Sequence, residues 1–343
     1  MTTERIPVSL LTGFLGSGKT TVLNAWLRDP DLADAAVIVN EFGEIGIDHA
    51  LIAASNDNTI ELSTGCLCCT VRGDLVETLR DLLEKRIRGQ VRRFDRVLIE
   101  TTGLADPAPV IQALITFPVA RGFRLSRVIT VVDALQGLGT LDRHLESVKQ
   151  VAVADVIVLS KTDLGPTEAG LDDRLRRLNP AAAHVVAPPA SILRGIDVYD
   201  PAVRPDQVQA WLAAERHDDA GHEHAGHEHG GHRHDPNRHD AEISSFALRF
   251  EDPLHWEHVA TWLDALVRAH GADLLRVKGI LSIVGRARPI VVQTVQRLFH
   301  PPAELAAWPE GARESRVVFI TRGISRAYVT EVLDTVRTRR PAA

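Results

Sequence analysis

The 343-residue chain has no apolar run approaching the ~18 residues that span a bilayer, which excludes a membrane-crossing helix. Cysteine is scarce: Cys66, Cys68 and Cys69 are the only three. Neighbours that close bridge only with strain, so a disulfide framework is excluded, and clustered thiols in a reducing compartment point to metal or redox chemistry. Positive charge is not in excess either. With 39 Lys and Arg against 45 Asp and Glu, the formal net charge is −6. That excludes a strongly cationic nucleic-acid binder and gives no reason to expect an anionic membrane surface as partner. Met1 to Ile6 shows no basic stretch leading into an apolar one, so no secretion signal is visible and the cytoplasm is the expected compartment. What is abundant is histidine, with fifteen in all and eight between His217 and His239. A hydrophobic share of 45% excludes wholesale disorder. At ~150 residues per domain the length predicts about two domains.

The first two hundred residues alternate short apolar runs with amphipathic segments. Strands are predicted at Val8–Thr12, Ala36–Asn40, Thr59–Leu62, Arg96–Thr101, Arg127–Asp133 and Val156–Lys161. Their Val, Ile and Leu run without strict polar alternation, as strands buried on both faces of a parallel sheet do. Helices are predicted at Thr20–Arg28 and at Asp74–Ile87, the latter with Leu75, Leu79, Leu82, Leu83 and Ile87 on one stripe. Trp211–Arg216 reads as the close of this unit. The expected fold class is α/β with a mostly parallel, doubly wound sheet over residues 1–215, and the GxxxxGK[ST] match at Gly13–Thr20 makes it a P-loop NTPase domain. Residues 216–240, rich in His and Gly, cannot bury a core and read as a flexible linker. Residues 241–343 read as a smaller α+β, ferredoxin-like domain. Its strands are expected at Ile243–Phe250, Leu274–Val284, Pro289–Leu298 and Arg316–Thr321, and its helices at Trp256–Arg268 and Arg326–Arg337.

Gly13-Phe14-Leu15-Gly16-Ser17-Gly18-Lys19-Thr20 meets every fixed position of GxxxxGK[ST] between an apolar strand and a helix. Gly13, Gly16, Ser17, Gly18 and Thr21 are the expected cradle, its N–H groups curling around phosphate oxygens at a helix N-terminus. Lys19 is expected to reach the β- and γ-phosphates and the Thr20 hydroxyl to ligate Mg²⁺. Arg96–Glu100 is an apolar strand ending in an acid, followed by Thr101-Thr102-Gly103. There Glu100 can hold a magnesium-bound water, and Gly103 can bring its N–H to the γ-phosphate. Ser160-Lys161-Thr162-Asp163 is similar to the NKxD element of GTPases, whose carboxylate accepts from guanine N1–H and the exocyclic amine. Ser160 stands where Asn is usual, which predicts weaker bracing of that loop. Guanine is the expected base, with ATP left open.

Cys66 and Cys68 alternate onto one side of an extended chain, and thiolates are soft ligands for Zn²⁺ and Co²⁺. Glu41, directly after the second strand, opens Asn40–Asp48, where P-loop GTPases often sense the γ-phosphate. It is a candidate metal ligand, whereas Glu44 and Asp48 read as solvated. His222, His224, His227, His229, His232 and His234 form repeated H-x-H pairs, expected to capture metal with low specificity.

Together these pieces resemble the CobW-type P-loop GTPases, the cobalamin-synthesis and zinc-chaperone family. The likeness rests on GFLGSGKTT (Gly13–Thr21), NEFGEIGID (Asn40–Asp48), GCLCC (Gly65–Cys69), ETTGLADP (Glu100–Pro107) and SKTD (Ser160–Asp163). Later segments around Arg276–Leu281, Gln296–Pro302 and Ser315–Ile320 extend it to nearly the whole chain. The resemblance implies a GTP-hydrolysing metallochaperone that loads zinc, or cobalt, into the apo-form of a client metalloprotein. It places the transferred metal on Cys66, Cys68 and Cys69, with help from Glu41. A homodimer is left open; no nucleic acid and no membrane is expected as partner. Two other readings stay open: a zinc buffer in which nucleotide is structural, and a P-loop small-molecule kinase.

Overall fold

The computed structural model describes residues 5–40, 59–62, 70–186, 189–194, 243–308 and 313–338. Strand and helix alternate from the start: β1 (Ile6–Gly13), α1 (Lys19–Leu27), β2 (Ala35–Asn40), β3 (Thr59–Leu62), α2 (Thr70–Ile87), β4 (Arg96–Glu100), α3 (Ala108–Ile115), β5 (Phe123–Asp133), α4 (Gly137–Arg143), α5 (Leu145–Ala152), β6 (Val156–Ser160), α6 (Leu171–Leu178) and β7 (Ala183–Val186). Among the described residues these strands make one seven-stranded sheet in the order β3-β2-β4-β1-β5-β6-β7. Every pairing in it is parallel. The expected doubly wound α/β sheet is therefore present.

Period-two alternation sorts each strand onto both faces. Ile6, Val8 and Leu10 of β1 join Ala36, Ile38, Val97 and Ile99 in a core with α2 and α3. Leu11, Val37 and Leu98 face the other way, against Leu23, Trp26 and Leu27 of α1. Leu75, Leu79 and Leu82 of α2 are buried as the stripe predicts. Ile87 is not: it is 74% exposed. It is the last residue of the helix, and the chain turns away directly after it at Gly89.

The second sheet contains β8 (Ile243–Phe250), β9 (Leu274–Leu281), β10 (Ile290–Val295), β11 (Leu298–Phe299), β12 (Ala303–Glu304) and β13 (Ser315–Arg322). Its order is β11-β10-β9-β13-β8, with β12 on β10, and its pairings are antiparallel. The helices α7 (Trp256–His270) and α8 (Arg326–Thr338) share one apolar core with it, centred on Trp262, Phe319, Val329 and Leu333. Trp262 is fully buried and gives its indole N–H to the Val329 carbonyl at 2.9 Å.

One predicted strand is broken. The run 289–298 reverses at Gln296-Arg297, because Val295 pairs with Leu298 across a two-residue loop. Gln296 sits at φ +50, the left-handed region usual for glycine at the first loop position of a II′ hairpin. For a residue with a side chain that conformation costs about 1–2 kcal/mol. The composition carries no Asn-Gly or Gly signal there, so periodicity alone runs the strand straight through.

The two sheets are joined by a buried ion cluster. Asp155, between α5 and β6, receives Lys278 Nζ at 2.9 Å and the Arg276 guanidinium, both from β9. Arg276 also donates to the Val153 carbonyl. Asp155 and Arg276 are each 3% exposed at the side chain and Lys278 5%. Leu275 and Ile320 pack on Ala152 beside it. Trp211–Arg216 and the expected linker 216–240 lie outside the described residues.

Candidate functional site

The parallel strands end at the phosphate loop. The chain leaves β1 toward β2 and β3 on one side, returns to β4, then crosses to β5 on the other. Such reversals open a crevice at the carboxyl ends of strands, where ligands of this architecture bind. Gly13 has φ +146, and a Cβ there would lie 2.4 Å from the Val131 carbonyl oxygen. Only glycine lets β1 turn against β5 at that point. Lys19 opens α1 and is 8% exposed, and its Nζ donates to the Phe14 carbonyl at 3.2 Å. The ammonium thus spans the loop. Phe14 stacks on His144 with ring centroids 4.4 Å apart, which steadies the leading edge of the loop.

Thr20 Oγ1 donates to Glu100 Oε1 at 2.8 Å. The first turn of α1 and the end of β4 therefore meet side chain to side chain, bringing together two residues eighty apart in sequence. Gly103 lies against the loop itself: a Cβ on it would be 2.5 Å from the Leu15 amide nitrogen. Four of the predicted residues, Lys19, Thr20, Glu100 and Gly103, thus surround one mouth.

On the other flank, Ser160 Oγ donates to the Ser17 carbonyl at 2.5 Å, with the Val132 carbonyl at 3.2 Å. The weaker bracing expected of a serine is not what the geometry gives: the hydroxyl reaches the phosphate loop directly, because β6 runs close enough for a short side chain. Lys161 follows at φ +59 and is held by Asp133 Oδ2 at 2.6 Å. Asp163 is exposed beyond it. Removing the brace with Ser160→Ala forfeits a net ~1 kcal/mol, which is about a fivefold weakening of nucleotide binding. Titration with a fluorescent GTP analogue checks it, and unchanged affinity would deny Ser160 this role.

Two residues of the site, Gln150 and Asp133, are not signalled by any motif, and a third, Asp106, lies inside ETTGLADP with no role read for it there. Gln150 of α5, fully buried, donates its amide to the carbonyls of Gly103 and Ala105, each at 3.1 Å. Asp106 accepts from Lys149 Nζ at 2.8 Å and from the Ala108 N–H at 3.0 Å. Burial pushes the Asp106 carboxyl up, but the Lys149 bond, the Ala108 amide and Gln296 together hold it below the usual carboxylate range. Glu41, Cys66, Cys68, Cys69 and the tract from His222 to His234 lie outside the described residues. Their chain neighbours are fixed: β2 ends one residue before Glu41, and β3 and α2 bracket residues 63–69.

Known proteins fit this frame. The family model described as "CobW/HypB/UreG, nucleotide-binding domain" matches residues 7–186, and that of the cobalamin synthesis protein cobW C-terminal domain matches residues 243–337. The chain belongs to the CobW family. It is 32% identical to the zinc chaperone YjiA of Escherichia coli, over 92% of this chain and 93% of that protein. It is also 32% identical to the zinc chaperone CobW of Pseudomonas aeruginosa, over 97% of this chain and 92% of the relative. The crystal structure of Zn(II)-bound YjiA GTPase from E. coli superposes with a TM-score of 0.67 at 27% identity, covering 98% of this chain and all of the other. Both sheets and the phosphate loop lie within these matches.

Proposed function

We propose that this protein is a GTP-hydrolysing metallochaperone that binds zinc through Cys66, Cys68 and Cys69, with Glu41 assisting, and passes it to an apo-metalloprotein. The observation that carries the nucleotide half is the Thr20–Glu100 contact at a phosphate loop whose lysine spans it. The metal half is supported by the relatives named zinc chaperones, which match over nine-tenths of the chain, and by three thiols gathered in one motif. The His222–His234 tract is assigned to gathering ions for that motif.

Mg²⁺ is a hard cation that takes oxygen ligands. The Thr20 hydroxyl beside the Glu100 carboxylate is such a donor pair, so the residues present fit it, with Thr20 as ligand and Glu100 orienting the ligand shell. When bound, Mg²⁺ neutralises charge building on the phosphate oxygens. The chain does the rest. Loop amides and Lys19 stabilise the transferring phosphoryl group, Gly103 meets the γ-phosphate through its N–H, and Ser160, Lys161 and Asp163 hold the guanine end. Attack by water gives GDP and phosphate, and loss of the γ-phosphate changes what Gly103 and the segment opening at Glu41 can bind. Metal release follows from that change.

Zinc titration of the full chain, with and without a nonhydrolysable GTP analogue, tests the coupling. The analogue should tighten zinc binding at one site at least tenfold, which is 1.4 kcal/mol of coupling. Replacing Cys66 and Cys68 by Ala should abolish that tight site and the nucleotide effect. Equal zinc affinity with and without nucleotide would defeat the proposal.

A further inference from the structure

The turn that interrupts the predicted strand 289–298 points its side chain at the nucleotide domain. Gln296 Nε2 donates to both carboxylate oxygens of Asp106, at 3.1 and 3.3 Å, across 190 residues of sequence. Val295, next to it, is buried in the same core as Val110, Ile111 and Leu114 of α3. The hairpin tip is therefore seated, not merely near. Asp106 belongs to the segment that carries Gly103. That segment is held at three points from α5: the carboxylate by Lys149 at 2.8 Å, and the Gly103 and Ala105 carbonyls by Gln150. A fourth hold comes from the other sheet, through Gln296. The strained φ of Gln296 is the sign that this contact, and not turn formation, selects the residue. A hairpin serving only to reverse the chain would take glycine there.

We propose that Asp106 is a positioning residue for GTP hydrolysis, shared by the Gly103 segment and the 295–298 hairpin, so that the C-terminal sheet sets the hydrolysis rate through Gln296. This rests on the GTPase reading above and adds its control. With Gly103 already packed on the Leu15 backbone, the hold at Asp106 fixes where its N–H lies. A shift of about an ångström in such a group costs up to a hundredfold in rate. The coupling runs both ways: a change at the γ-phosphate is felt at the hairpin, and a load on the C-terminal sheet is felt at Gly103.

The test separates the side chain from the turn. Gln296→Gly relieves the left-handed backbone and deletes the amide. It should keep or raise the unfolding temperature of the full chain while kcat falls about five- to tenfold. KM for GTP should stay within twofold, because the phosphate loop is untouched. Asp106→Asn should lower kcat similarly, and the double variant should be no slower than the slower single one. A Gln296→Gly chain with unchanged kcat, or losses that multiply in the double variant, overturns the proposal. Amide hydrogen exchange supplies a readout independent of turnover. A nonhydrolysable GTP analogue should change exchange over residues 294–299 in the unsubstituted chain and not in Asp106→Asn. An unsubstituted chain that binds GTP without hydrolysing it defeats the GTPase reading; exchange over 294–299 that ignores nucleotide defeats the hairpin coupling.

Discussion

Asp155→Ala is expected to destabilise the protein by about 3–5 kcal/mol, the usual cost of stripping the counter-ion from buried charge. Arg276 and Lys278 both point at that carboxylate, and all three side chains are at most 5% exposed. Removing Asp155 leaves two cations sealed between the sheets. It also opens the bond from the Val128 N–H to Asp155 Oδ2, 2.9 Å long, at the start of β6. Denaturant unfolding of the full chain measures the loss. Replacing all three residues at once by Leu, Met and Met should recover most of it, since a matched apolar cluster pays no desolvation. A single variant as stable as the parent would show that the cluster is hydrated and holds nothing together.

The same cluster gives stability a pH dependence. Burial is the largest influence on Lys278 and, with repulsion from Arg276, outweighs the attraction of Asp155, so its ammonium is pushed down to about 8 from an ordinary 10.5. A lowered folded-state value means that the unfolded chain binds the extra proton between pH 8 and 10.5. Stability contributed by this group therefore rises with pH across that window and is flat below it. Asp155 has the same sign at the other end of the scale: burial raises its carboxyl, but Lys278 and Arg276 overcome that and hold it far below the ordinary carboxylate range, so its contribution is present above about pH 4 and lost in strong acid. The unfolding midpoint of the parent, compared with Lys278→Met, should therefore gain between pH 7.5 and 10 at roughly constant ionic strength.

Lys19→Ala should have the largest effect on chemistry: a fall of about 10²–10³ in kcat/KM for GTP, the range typical of deleting one preorganised donor to developing charge. The fold should survive, because α1 remains anchored by Leu23, Trp26 and Leu27, which are buried further along the helix. Phosphate release under single-turnover conditions checks the chemistry and the unfolding temperature checks the fold. Activity within threefold of the parent would remove the phosphate loop from the mechanism.

How much of this was legible in advance differs by element. The strands of the parallel sheet announce themselves, because burial on both faces demands unbroken apolar runs that few other structures tolerate. Missed were α3, α4, α5, α6 and β7, all of them short, with polar residues such as Gln150 of α5 blurring the periodicity. Gln150 is fully buried yet polar, because its amide serves the carbonyls of Gly103 and Ala105; hydropathy cannot foresee a buried donor whose acceptors come from another element. The buried His300 is a similar case, its imidazole pushed down to about 3 by burial first and by Arg276 nearby.

Local chemistry decided the sheet and the phosphate loop. A cradle of main-chain amides needs glycines at fixed spacing between a strand and a helix, and Gly13–Thr20 states that need within eight residues. The pairings that join the halves are of another kind. Gln296 finds Asp106 and Arg276 finds Asp155 across 190 and 121 residues. Each is a polar contact between surfaces whose meeting depends on how two sheets pack, and a polar side chain in the sequence looks the same whether water or a partner awaits it.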